Sequence, residues 1–524
     1  MKVAYKRKDI FMKQVSVTLS TYTADVSGVC SALYELGGMV VIHDPSGCNS
    51  TYNTHDEPRW YDMDSLVFIS GLSQMDAIMG NDDKFIQDIV RAAKELNPRF
   101  IALVRTPIPL MTGTDFEGIT RVIEKQTGIP VFYFPTNGMH SYVSGAGMAL
   151  ETVARELVLP SNINIHFKEP KTEVNTVSDK LTAGSTEKQR QSELKLEQNP
   201  VDLTMGQIKD KSEPSIENES KQPVQRQQKC IKSDSAKKIK IKTAESKPGN
   251  TKIKINILGA TPLDFSVNST LDSIKEFLSD HFEIISTFAM GSTIEEIQKA
   301  SEADVNLVIS SVGFPAAKVL EERFHIPYVI GTPVKGFENI IAEKMLGVAW
   351  TKQSQTAYFS VALKEEKKCT GNIDNEPIVP KTKILSKSEK MELAEKIEKP
   401  ETIEIIETPA EIINKEKSTN EIYIIGEAVI SQSLKAALVL KHGINAKVIC
   451  PLETEPEYIG EDVLLLSSEE EIKEAIAEAQ TVIADPIYKT VCSEKTNFIS
   501  LPHEAFSGRI YRKEIPNLMN GVPI

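Results

Sequence analysis

Short apolar runs alternate with amphipathic stretches along this chain, and the alternation recurs in three blocks. In the first block "GGMVVIHDPSG" from Gly37 reads as a strand running into a turn, "DSLVFISG" from Asp64 as a second strand and "RFIALVRTP" from Arg99 as a third. Between the last two, "DDKFIQDIVRAAKELN" from Asp82 places its apolar residues at helical spacing, with Asp82 and Asp83 where a helix N-terminus favours negative charge. The second block repeats the pattern with the strand "IKINILGATP", the helices "LDSIKEFLSDHF" and "TIEEIQKASEA", and the strand "VNLVISS". The third has the strand "NEIYIIGEA", the helix "SQSLKAALVLKHG" and the strands within "INAKVICP" and "AQTVIADP". Strands alternating with helices at this spacing predict βαβ units and parallel sheets.

The blocks also end alike. "TGIPVFYFPTNG" from Thr127 and "FHIPYVIGTPVKG" from Phe324 both run helix, Ile-Pro, strand and Pro-containing turn, and "KTNFISLPHEAFSG" from Lys495 is a looser version. One doubly wound module used three times accounts for this. The expected fold class is therefore α/β, with three Rossmann-like domains over residues 12–167, 251–365 and 419–524. Residues 168–250 and 366–418 contain no Phe, Trp or Tyr and are rich in Lys and Glu, so they bury too little apolar surface to offset the entropy of ordering. Both are expected to be low-complexity linkers.

With 524 residues and a formal net charge of -13, the chain offers no broad basic face for a phosphate backbone, so nucleic acid is not an expected partner. No window reaches the roughly 18 apolar residues of a membrane span, and no apolar run follows the basic first residues, so a cytoplasmic location off the membrane is expected. The six cysteines, at 30, 48, 230, 369, 450 and 492, form no CxxC pair. A cysteine that matters here is a metal ligand or a reactive thiol rather than half of a secreted disulfide framework. The glycines at 145–147 and 257–262 complete no GxGxxG, and no GxxxxGKS or GxxxxGKT occurs, so any ATP driving this chemistry is hydrolysed by a separate protein.

In "HDPSGCNSTYNTHDEP", residues 43–58, Cys48 follows directly on the first strand, at the carboxyl end where ligands of doubly wound sheets sit. "HDPSGC" is similar to the strand-turn-cysteine of the nitrogenase component 1 family, "GNDDKFIQDIV" from Gly80 to its helix start, and "VRTPIPLMTGTDF" from Val104 to its Cys-Pro turn. "STIEEIQKASEADVNLVIS" and "EERFHIPYVIGTP" resemble the second domain and "ADPIYKTVCSEKTNFISLPHEAFSGRIY" the third, so the resemblance spans all three blocks and neither linker. It implies an oxidoreductase subunit, though not a dinitrogen-reducing nitrogenase. Such a subunit forms a homodimer, or a heterodimer with a paralogous component 1 subunit. It takes electrons from a separate ATP-dependent iron-sulfur reductase and reduces a substrate in the cleft among its domains. The resemblance further implies an iron-sulfur cluster at an interface between subunits, held in the family by three first-domain cysteines, whose soft thiolates suit the irons. Cys48 occupies the second of those positions, while the first falls near Tyr22 or Thr23 and the third at Thr106, so two expected ligands are absent. The family's cofactor cysteine falls at or beside Ser310, and no iron-molybdenum cofactor is expected.

Cys48 and Cys30 are thus the candidate metal ligands: two chains at a twofold axis would bring four thiolates, enough for one 4Fe-4S cluster. Cys30 is spaced with Val26, Val29, Leu33 and Leu36, which is equally the pattern of a small buried hydrophobe. His43 and His140 are the candidate cofactor-binding residues, and His55 flanks Cys48 on the other side; each also reads as an ordinary hydrogen-bonded histidine. A cluster-free binding or cofactor-assembly scaffold of the same fold is the rival reading, favoured by the missing cysteines. An unrelated multi-Rossmann protein such as a glycosyltransferase would need a nucleotide-sugar site that the sequence does not display.

Overall fold

The computed structural model describes residues 18–19, 23–45, 57–64, 66–161, 252–361, 421–460 and 462–521. Tyr22, Cys48, His55 and both expected linkers lie outside these residues. The first sheet is fully parallel, in the order β2-β1-β3-β4, from β1 (Met39–His43), β2 (Val67–Ile69), β3 (Ile101–Arg105) and β4 (Val131–Phe134). Its helices are α1 (Asp25–Leu33), α2 (Gln74–Met79), α3 (Asp82–Leu96), α4 (Pro107–Thr112), α5 (Phe116–Thr127) and α6 (Tyr142–Thr152).

Alternation along the strands divides this sheet between two cores, because successive side chains leave opposite faces. Met39, Val41, Ile101 and Leu103 face outward onto Phe85, Ile86, Ile89 and Val90 of α3 and onto Phe116, Ile119 and Ile123 of α5. Val40, Ile42, Ala102 and Val104 face inward to a larger core that also takes in residues of the second and third blocks. On that inner side α1 crosses α6 at glycines: a Cβ on Gly145 would lie 1.9 Å from the Asp25 carbonyl oxygen, and one on Gly28 2.3 Å from that of Tyr142.

The second sheet, β6-β5-β7-β8-β9, is parallel throughout. It comprises β5 (Ile253–Ala260), β6 (Phe282–Ala289), β7 (Val305–Val308), β8 (Tyr328–Ile330) and β9 (Gln355–Thr356), with α7 (Pro262–Phe265), α8 (Thr270–Ser279), α9 (Ile294–Gln298), α10 (Phe314–Phe324) and α11 (Glu338–Thr351). The third, β12-β11-β10-β13-β14, is likewise parallel. Its strands are β10 (Ile422–Ile425), β11 (Lys447–Cys450), β12 (Val463–Leu465), β13 (Thr481–Ala484) and β14 (Asn497–Ser500), with α12 (Ala428–His442), α13 (Glu469–Ala475) and α14 (Glu504–Ser507). The chain is an α/β protein of three Rossmann-like domains. The Ile-Pro repeat has a structural counterpart: Pro130 and Pro327 accept hydrogen bonds from Ile101 and Asn306 at 2.9 and 2.8 Å, the same place in two sheets.

Two local expectations change. The helix foreseen over Thr293–Ala303 stops at Gln298, because Leu159 from the first domain donates its N–H to the Gln298 carbonyl and the chain tightens into a short turn over Ala300–Glu302. Strand β6 begins at Phe282, where the sequence reads as the end of a helix.

Candidate functional site

In a doubly wound sheet the crevice for ligands opens where the strand order reverses. For the first sheet that point lies between the carboxyl ends of β1 and β3. His43 ends β1, and its ring stacks on Phe85 with centroids 3.9 Å apart, its Nδ1 standing 2.8 Å from the Ser70 hydroxyl. Burial pushes its pKa down to about 4, so it is a neutral imidazole at neutral pH. The Thr106 hydroxyl, fully buried at the start of α4, donates to Asp44 Oδ1 at 2.6 Å and to the His43 carbonyl at 3.0 Å. One strand over, the Thr136 hydroxyl donates to the Arg105 carbonyl at 2.6 Å, and the Asp25 carboxylate accepts the N–H groups of Asn137 and Gly138 at 2.9 and 2.8 Å. Residues 46–56, with Cys48 and His55, leave the described structure immediately beyond Pro45.

The chain returns at a buried charge cluster. Arg59 reaches Glu57 through Nε at 2.6 Å, Glu35 through Nη1 at 2.8 Å and the Ser31 carbonyl through Nη2 at 2.7 Å. Glu35 in turn accepts the N–H of Gly291 at 2.7 Å, which ties this end of the site to the second domain. Beside the crevice two short helices present apolar residues outward. No residue of α2 is buried, and Met79 and Met111 are 71% and 85% exposed, with Met75, Ile78 and Leu110 also exposed.

The candidate residues therefore separate. Cys30 lies in α1 with no exposure, and its thiol is pushed well up by burial and then by the neighbouring Glu57 carboxylate. A ligand shared between two subunits must reach the surface, so Cys30 does not suit the twofold pairing with Cys48; it packs as the small hydrophobe its spacing allowed. Thr23 donates its hydroxyl to the Ala505 carbonyl at 3.0 Å in the third domain. His140 is half exposed at the start of α6, its Nδ1 3.4 Å from Glu453 of the third domain, so it bridges domains rather than joining His43. Ser310 is buried and donates to the Gly259 carbonyl at 2.8 Å. Among the described residues no group of three or more His, Cys, Asp and Glu side chains is placed to hold a metal ion. The described donors thus do not fit a cluster held by this chain alone.

A second cluster, which the sequence did not suggest, occupies the junction of the three domains. Tyr142 of the first domain donates to Asp264 Oδ1 of the second, Thr261 donates to Asp264 Oδ2 at 2.9 Å, and His503 Nε2 of the third lies 3.6 Å from Asp264 Oδ1. These side chains leave a cavity of about 40 Å³, lined by Asp264, Phe265, Ile430, Leu501 and His503 among others, room for a few waters. The missed signal was positional: Asp264 and His503 each follow closely on the end of a strand, as Cys48 does.

The family described as nitrogenase component 1 type oxidoreductase matches residues 27–342. The chain belongs to this family. A light-independent protochlorophyllide reductase subunit of Nostoc punctiforme is 29% identical over 175 residues, covering 28% of this chain and 34% of the relative. The same kind of subunit from Leptolyngbya boryana is 33% identical over 85 residues, 16% of this chain and 17% of the relative. The chain thus matches about a third or less of the length of these curated relatives. Among solved structures, "Nitrogenase Cp1 at pH 5" is similar over 95% of this chain and 86% of its own, at 13% identity and a TM-score of 0.47. No helix among the described residues is long and apolar enough to cross a membrane.

Proposed function

We propose that the chain is one subunit of a component 1-type oxidoreductase in which a separate ATP-dependent iron-sulfur reductase supplies electrons and the substrate is reduced among the three domains. Its partner is a homologous component 1 subunit, and Cys48 gives one thiolate to an iron-sulfur cluster where the two meet, the remaining ligands coming from that partner. The observation that supports this best is the switch point itself: Thr106 is committed to Asp44 and Cys30 is enclosed in the core, and the other thiol of the first domain, Cys48, follows Pro45 by three residues in the sequence. The uncovered Met and Ile residues of α2 and α4 beside the switch point suit an interface between subunits. In this arrangement Arg59 and Asp44 hold the two ends of the segment bearing Cys48, and neutral His43 orients Ser70.

The partial likeness to protochlorophyllide reductase makes a tetrapyrrole the first substrate to test. The test is anaerobic co-purification with a homologous subunit, followed by an assay with reductase, ATP and protochlorophyllide. Consumption should require the partner and be lost in Cys48→Ala; consumption undiminished in that variant overturns the proposal. A cluster-free scaffold is the second reading, because Thr106 and Thr23, at two of the family's ligand positions, are engaged in hydrogen bonds of their own.

A further inference from the structure

The cavity at the three-domain junction has one polar corner in an otherwise largely apolar wall. Asp264 and His503 make the corner, and the wall includes Phe265, Ile430, Leu501, Ile515 and Leu518. Asp264 follows the end of β5, Ile430 that of β10 and His503 that of β14, so the cavity lies at the carboxyl ends of strands from two sheets, where doubly wound folds hold ligands.

The corner is fixed in place by its own contacts. The His503 N–H donates to Asp485 Oδ2 at 2.7 Å, the His503 and Phe506 rings have centroids 4.7 Å apart, and His503 Nδ1 accepts the Ala505 N–H at 3.3 Å. With Nδ1 accepting, Nε2 is the nitrogen that carries a hydrogen. Asp264 accepts the Tyr142 hydroxyl on Oδ1 and the Thr261 hydroxyl on Oδ2, the latter at 2.9 Å. The apolar wall is pinned too. Asn268 Nδ2 donates to the carbonyls of Ile515 and Pro516 at 2.9 and 3.2 Å, and the Lys335 N–H donates to the Leu518 carbonyl at 3.1 Å. Such bonds preform the shape of a pocket.

One donor in the corner is not used by the protein. His503 Nε2 is buried, and among the described residues no group accepts a hydrogen bond from it; Asp264 Oδ1 stands 3.6 Å away, beyond hydrogen-bond reach. A buried donor without an acceptor is costly, and the cavity beside it offers room for one. The chemistry of the occupant follows from the pair: it accepts from Nε2 and donates to Oδ1. An ammonium group has no acceptor, while a carboxylate has no donor and meets Asp264 with like charge. A hydroxyl does both, and the apolar wall suits a short alkyl chain behind it. The cavity of about 40 Å³ takes about three or four non-hydrogen atoms.

We propose that the corner formed by His503 and Asp264 is a binding site for a small aliphatic alcohol, its hydroxyl between the two side chains and its alkyl chain against Ile430, Leu501 and Ile515. The site goes beyond the redox reading and requires neither iron nor a partner subunit.

Methyl NMR of the full chain, labelled at Ile and Leu, tests this with 1-propanol as the probe. The Ile430, Leu501 and Ile515 signals should shift and saturate with a Kd on the order of 10 mM, as so few ligand atoms allow, while Ile119 in the outer core of the first domain stays fixed. Propylammonium and propionate at pH 7, of the same chain length, should leave all four unmoved. His503→Phe keeps a ring beside Phe506 but removes the donor, and its affinity for 1-propanol should fall at least ~10-fold. That variant also loses the acceptor of the Ala505 N–H, so the comparison of the three probes on the wild type stands independently of its folding. Shifts that stay linear up to about 0.3 M propanol, equal shifts from all three probes, or undiminished affinity in His503→Phe overturn the proposal. None of these results bears on Cys48→Ala, whose turnover and iron are read separately.

Discussion

Replacing Arg59 by Met tests whether the charge cluster at the end of the Cys48 segment is structural. The guanidinium is 4% exposed, and the Glu57 and Glu35 side chains it joins are 0% and 12% exposed. Arg59→Met takes away the cation facing Glu57, the ion pair to Glu35 and the donor to the Ser31 carbonyl. Breaking a buried pair from one side costs about 3–5 kcal/mol, far more than the ~0.2–1 kcal/mol of an exposed pair. Adding Glu57→Gln to Arg59→Met removes the charge that the first change exposes, and should recover more than half of the loss. Urea unfolding followed by circular dichroism and by tryptophan fluorescence measures this; with Trp350 replaced by Phe, Trp60 beside Arg59 is left to report the local transition. A loss below about 1 kcal/mol in the single variant, or no recovery in the double one, would refute the reasoning.

Gly145→Ala places a methyl where the Asp25 carbonyl oxygen lies 1.9 Å away, so α1 and α6 must separate; thermal melting should show a loss of at least about 2 kcal/mol. With its pKa lowered to about 4, His43 contributes stability that is fully present above pH ~6.5 and lost as pH falls toward 4, since the unfolded chain binds the proton more readily; unfolding free energies of wild type and His43→Gln from urea titrations should converge by about 2 kcal/mol at pH 5. Met79→Glu with Met111→Glu places charges on the exposed faces of α2 and α4, and should weaken association with the homologous subunit at least ~10-fold by sedimentation while leaving the melting midpoint unchanged.

Much of the architecture was legible because the strands are buried on both faces and so read as unbroken apolar runs: Met39–Ile42 and Ile101–Val104 stand out against their polar flanks. The burial of Cys30 was legible too, in its spacing with Val26, Val29 and Leu33. Short helices were harder. The α2 helix had its signals, with Ser73 accepting the Asp76 N–H at its start and Gly80 in the left-handed conformation at its end, but six residues with no buried face give no periodicity to detect. Strand β6 opens at Phe282 only two residues after the preceding helix ends at Ser279, so its first apolar residue reads as the last of that helix. The three-domain junction could not be read at all, because Tyr142, Asp264 and His503 are brought together only by tertiary packing across hundreds of residues.

Iron content decides whether Cys48 is a cluster ligand. The full chain, purified without oxygen both alone and with a homologous component 1 subunit, should carry stoichiometric iron and broad sulfur-to-iron absorption only in the complex. Cys48→Ala should lose that iron while the complex still melts as a folded protein, because alanine cannot replace a metal bond yet costs little packing in so polar a stretch of sequence. Cys450→Ala, at a buried strand end, should keep the iron. Wild-type iron in Cys48→Ala, or none in the wild-type complex, would mean that Cys48 holds no cluster.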